Sequence, residues 1–201
     1  MSLFTTLEDM KKATTSSGGK NIFLTIKPNE SKKIRFRQEL PVVGAPEGDL
    51  GYAKVAMVHN NEDDFRKRTA CTRHLDGDNG RCYGCEKGMY AVQHLVINIA
   101  VLDNETKEWE PKILDQKFTA AHVGSDLMEF YEEYGSICDR QYRFSRTGEQ
   151  RQTNYSLIPS DKSDAPAEFA DMESFDLSKT YPELSYEKQV DHHSGDSDEL
   201  M

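Results

Sequence analysis

The sequence predicts a mainly β (α+β) protein built as a small barrel of strands, with one capping helix and one β-hairpin. Three observations carry that expectation. Apolar and polar residues alternate in several short runs from Asn21 onward, turn residues separate these runs at modest spacing, and one stretch near 125–135 has helical period. The chain has 201 residues, enough for one domain of ordinary size with tails at either end.

Leu3, Phe4, Leu7 and Met10 fall at helical spacing within residues 2–13, and residues 14–19 read as a flexible linker. This arm of residues 1–20 is either an amphipathic partner-binding helix or disordered. From Asn21 the period changes to two. Ile22, Leu24 and Ile26 alternate with Phe23, Thr25 and Lys27, and after the turn Pro28-Asn29-Glu30, Ile34 and Phe36 alternate with Lys33, Arg35 and Arg37. A Gly/Pro-rich loop at 41–50 precedes Ala53, Val55 and Met57, which alternate with Tyr52 and Lys54. Residues 95–102 form a strongly apolar strand, 103–108 a turn, and 109–118 a partner strand interrupted near Pro111. Ser125 can cap a helix whose Leu127, Phe130, Tyr131 and Tyr134 share one stripe and which Gly135 ends. Residues 140–145 and 153–158 flank Arg146-Thr147-Gly148-Glu149 as a β-hairpin. Among small barrels the best fit is an OB-fold, whose barrel face commonly binds oligonucleotides.

Between the strands, at about 60–90, lies a subdomain with a different chemistry. Cys71, His74, Cys82 and Cys85 form a C-x2-H-x7-C-x2-C cluster, and two short ligand pairs across a small loop suit a tetrahedral Zn2+ site. Cys82-x2-Cys85 alone could be a redox pair, but that case expects a strand before it and a long helix after, whereas a basic, glycine-bearing loop precedes it here. A catalytic zinc would keep one position open for water. Four strong ligands point instead to one structural Zn2+. Cys138 reads as a small buried hydrophobe, His59, His94 and His122 as packing or surface residues, and His192 and His193 as part of a polar tail.

The net charge is −10, and residues 159–201, with twelve acids against three lysines, hold −9 of it. The body is therefore nearly neutral, with its cations in three groups. These are Lys32 to Arg37, Phe65 to Arg68 running into Arg73, and Arg140 to Arg146. Cations interleaved with rings suit single-stranded nucleic acid, because charges track phosphates while rings stack on unpaired bases. The candidate phosphate contacts are Lys33, Arg35, Arg37, Lys54, Arg66, Lys67, Arg68, Arg73, Arg143 and Arg146, and the candidate stacking rings are Tyr52, Phe65, Tyr83, Tyr142 and Phe144. Tyr142 and Phe144 share one strand face, so both stack or both are core. Residues 160–201 read as an acidic, largely disordered tail. Its Asp196, Asp198, Glu199, Leu200 and Met201 set apolar residues directly after acids, as in a docking peptide. No run is long and apolar enough to span a bilayer, and residues 1–20 lack the apolar core of a signal peptide, so a reduced cytoplasmic location is expected.

Taken together, the 32–37 strand, the metal loop, the helix, the segment from Gly135 to Gly148 and Thr153-Asn154-Tyr155-Ser156-Leu157-Ile158-Pro159 resemble the single-stranded DNA-binding proteins of tailed bacteriophages. The resemblance covers about residues 20–160. It implies an OB-fold core at 21–159 with a zinc subdomain, an arm used in self-association along DNA, and a tail that recruits replication and recombination proteins. It also implies a non-enzymatic role in coating unpaired DNA during replication, recombination and repair, in the cytoplasm of an infected bacterial host. The rivals are a zinc-finger adaptor that binds proteins and a metal-dependent nucleic-acid enzyme. The second lacks any paired-carboxylate motif, since Glu62-Asp63-Asp64 reads as a solvated loop.

Overall fold

The computed structural model of the protein describes residues 21–41, 51–61, 67–119, 123–149 and 152–194. The expectations for the 1–20 arm, for Phe65 and Arg66, and for Asp196, Asp198, Glu199, Leu200 and Met201 lie outside these residues. Seven strands form one antiparallel sheet: β1 (Ser31–Phe36), β2 (Lys54–Asn60), β3 (Arg68–Ala70), β4 (Ala91–Leu102), β5 (Trp109–Lys117), β6 (Arg140–Thr147) and β7 (Asn154–Lys162). Among the described residues the α-helices are α1 (Tyr83–Glu86), α2 (Val123–Tyr134) and α3 (Tyr186–Ser194).

Strand β4 organises the sheet. Along one edge it pairs with β5 from His94↔Lys117 to Leu102↔Trp109. Its other edge is shared, with β2 taking Ala91 to Val96 and β1 taking Ile99 to Leu102. The order is β3-β2-β4-β1-β6-β7, and among the described residues no ladder joins β7 or β3 to β5. The sheet is therefore open, which corrects the closed barrel expected from the sequence. The apolar residues of β4 are buried without closure because each of its faces is covered.

One face carries the main core. Ile34, Phe36, Leu95, Ile97, Ile99, Leu114, Tyr142 and Phe144 are buried there against Leu127 of α2. Each such side chain contributes roughly 1.5–3 kcal/mol on leaving water. Phe36 meets Tyr142 edge to face at 5.0 Å. Helix α2 begins two residues before Ser125, and it ends at Gly135, whose φ of 75 lets its N–H return to Tyr131 O at 2.8 Å. Pro111 does not interrupt β5. The N–H of Ile113 bonds outward to Ile22 O, so the strand's alternation also points Pro111's missing N–H away from β4. Residues 22–24 are thus a short parallel bridge to Ile113 rather than a full strand. The hairpin turns at Gly148, where an added Cβ would lie 2.2 Å from Gln152 O.

The opposite face of β4 is covered by residues 175–181, part of the 160–201 segment expected from composition as a loose tail. Phe175, Leu177 and Tyr181 pack on Val96 and Ile113. Asn98, buried in β4, gives its Nδ2 to Phe175 O at 3.0 Å and accepts from Phe175 N at 2.9 Å. These rings and one amide that reads the backbone help to fasten an acidic segment. Two layers over β4 also explain why its residues are apolar on both sides. Among the described residues, no helix is long and apolar enough to cross a membrane.

Candidate metal centre

Near the end of strand β2, His59 is buried together with Ala56 and Val58, whereas Met57 is 45% exposed. Cys71 follows β3, held next to β2 by its N–H on Met57 O at 2.7 Å. Cys82 precedes α1, and the Cys82-Tyr83-Gly84-Cys85 turn closes through Glu86 N to Cys82 O at 3.0 Å and Lys87 N to Tyr83 O at 2.9 Å. The ligand atoms of His59, Cys71, Cys82 and Cys85 all lie within 4.8 Å of one another. Cys71 Sγ is 3.6 Å from Cys85 Sγ, and Cys85 Sγ is 3.4 Å from His59 Nε2. A tetrahedral ion of zinc's size would set such S–S and S–N edges at about 3.8 and 3.6 Å, given its usual bond lengths.

The surroundings fit the same purpose. His59 Nδ1 lies 3.1 Å from Met89 O, which fixes the ring with Nε2 turned to the thiols, as metal-ligating imidazoles are usually held. Gly84 packs so closely on that ring that a Cβ would meet His59 Cγ at 2.4 Å. Burial opposes ionisation of Cys82, yet the N–H groups of Cys85 and Thr72 and the thiols of Cys85 and Cys71 outweigh it and hold the Cys82 thiol below its ordinary range. Burial, with the neighbouring Cys71 and Cys82 sulfurs, pushes Cys85 up to about 12. Three thiols this close cannot all ionise unless a cation joins them. The set can hold a metal ion.

The fourth corner is therefore His59, and the expectation for His74 is corrected. His74 is 63% exposed at its side chain and sits 3.1 Å from Glu183 Oε1, outside the cluster. Local spacing favoured His74, because Cys71-x2-His74 looks like a ligand pair. What spacing could not show is that β2 runs beside β3. The period of two offers no signal for His59, because Met57, in phase with it, is 45% exposed.

The candidate DNA contacts separate into three groups. Lys33 and Arg143 are exposed and directly opposite each other on β1 and β6, and Arg73 is exposed on the metal loop. Others are already engaged. Arg35 is buried, donating from Nε to Cys138 O at 3.1 Å, from Nη1 to Ser163 Oγ and Asp164 O at 3.1 and 3.0 Å, and from Nη2 to Ser163 O at 2.7 Å. Arg37 donates to Glu173 O and Met172 O, both at 2.6 Å, and Lys54 to Thr180 O and Tyr181 O at 2.9 and 3.0 Å. Burial lowers the pKa of both Arg37 and Lys54. Arg68 reaches Tyr181 Oη at 3.1 Å, and Arg146 caps Ile26 O at 2.9 Å. Among the rings, Tyr142 and Phe144 are core, Tyr83 is stacked on His193 with centroids 5.8 Å apart, and Tyr52 is half-buried, as is the cation Lys67. These placements replace the expectation of one open basic face. The sequence pattern missed what occupies it, because carbonyl groups of a distant segment leave no mark on local charge.

Comparison with known proteins adds no relative: no family model matches the chain, and no curated protein or solved structure matches it.

Proposed function

We propose that the chain is a non-enzymatic protein that binds single-stranded DNA without strong sequence preference, with one structural Zn2+ held by His59, Cys71, Cys82 and Cys85. The observation that carries this reading is the four-ligand cluster, which would fix a loop presenting Arg73, Arg81 and Lys87 at its exposed edge. Lys33 and Arg143 add a second pair of cations on the strand face. Bound there, Zn2+ supplies folding free energy, since four strong ligands leave no position for a reacting water. The acids beyond Ser194 would recruit replication and recombination proteins, and the 1–20 arm would support self-association along DNA.

A specific observation favours a second reading, a zinc-finger adaptor that binds proteins. Arg35, Arg37 and Lys54 are spent on the chain's own carbonyls and offer little to phosphate. Titrating fluorescent oligothymidine of several lengths against salt separates the two, with zinc content measured on the same sample. For single-strand binding, the affinity rises with length, and log K falls linearly with log salt at a slope of roughly −0.7 per phosphate neutralised. Weak, length-independent binding would support the adaptor, and equal affinity for duplex would sink the single-strand reading.

A further inference from the structure

Helix α3 lies far from the thiols in sequence, yet its side chains reach the residues beside them. Gln189 is fully buried. Its Oε1 accepts the N–H of Tyr83, the residue after Cys82, at 3.0 Å. Its Nε2 donates to the hydroxyl of Thr72, the residue after Cys71, at 3.1 Å, and to Leu184 O at 2.8 Å. Thr72 in turn donates to Arg81 O at 2.7 Å, just ahead of Cys82. One amide thus ties together the two turns that carry the cysteines.

The rest of the helix binds the same loop. His193 Nε2 is 2.9 Å from Thr69 Oγ1 on β3, and its ring lies nearly parallel to Tyr83 at 23°. Burial pushes His193 down to about 4, so this contact is made by a neutral ring at pH 7. Tyr186 donates to Glu86, and Arg81 sits 3.9 Å above the Tyr186 ring. A nine-residue polar helix is marginal by itself, so its order comes from this docking. The loop has the converse need, because its own elements are a four-residue α1 and a single 3-10 turn at Gly77–Gly80.

We propose that Gln189 is a positioning residue of the metal centre, and that ion binding and docking of α3 are therefore linked. This inference rests on the metal reading given above. A ligand turn held from outside binds its ion more tightly, and by reciprocity the ion holds the helix. Gln189 touches no ligand atom itself.

The test uses the full chain and Zn2+. Hydrogen exchange of the wild type, loaded and after chelation, is followed in α3 and in β4. Zinc release to a chromophoric chelator is timed for the wild type and for Gln189→Met, which keeps the volume and removes both hydrogen-bonding ends. Co2+ absorption reports the ligand set. The expected result is that chelation speeds exchange of the α3 amides at least tenfold while β4 amides stay protected. Gln189→Met is expected to release zinc about tenfold faster with the Co2+ thiolate bands retained, as loss of outer-shell support does elsewhere. Unchanged α3 exchange on chelation, or zinc release from the variant at the wild-type rate, overturns the linkage while the metal reading stands. Failure of the wild type to bind stoichiometric zinc overturns both.

Discussion

His59 and His74 differ in the one respect that decides which of them meets the thiols. His59 is fixed by a strand, packed under Gly84 and held by Met89 O, whereas His74 stands on a turn with its ring in solvent beside Glu183. Replacing His59 with Ala should abolish stoichiometric zinc binding and shift the Co2+ spectrum toward a lower ligand count. His74→Ala should leave both unchanged; the reverse pattern would restore the local C-x2-H pairing. The three cysteines were legible because their spacing is local. The histidine was not, because its partnership with them is made by the β2–β3 ladder at Val58↔Ala70 and His59↔Thr69. Arg35 teaches the same lesson. The alternation placed it correctly on the face opposite Ile34 and Phe36, but nothing near it in sequence announces that Ser163 and Asp164 will enclose it.

Among the elements, β4 and the segment across it depend on Asn98. Its side-chain amide serves Phe175 in both directions and also donates to Gln38 Oε1 at 3.1 Å. Asn98→Ala leaves Phe175 N and O without these partners beneath buried surface, at about 1–3 kcal/mol for each group that finds no other. The expected outcome is a lower urea midpoint for the whole chain together with faster proteolysis within 163–181. A midpoint equal to wild type would show that the rings alone secure the segment. The helix α2, the hairpin and the main strands were readable from period and turn residues. Order in residues 163–194 was not. Its anchors, Phe175, Leu177, Tyr181 and His193, follow one another at intervals of two, four and twelve residues and so form no regular repeat, and each finds its partner far off in the sequence.

For the whole molecule, the decisive fact is where the acidic part of the chain divides. Residues 163–194 belong to the folded body, and their backbone satisfies Arg35, Arg37 and Lys54. Ending the chain after Lys162 should expose Val96 and Ile113 and strip Arg35 of its Ser163 and Asp164 acceptors, giving aggregated or unfolded protein. Ending it after Ser194 should preserve the thermal transition of the full chain. Equal stability of the two truncations would mean that the segment contributes nothing to the fold.

The edges of β4 join strands of very different sequence separation. Its partner β5 lies across a turn of six residues, 103–108, which closes with little loss of chain freedom, while β2 and β1 must arrive from farther away. The β6–β7 hairpin is equally local, so these two pairings close at the lowest cost in chain freedom. His59 reaches Cys82 and Cys85 through the longer-range ladders of β2 with β3 and β4. An ion held by all four ligands would therefore lock the register of β2 as well as the loop.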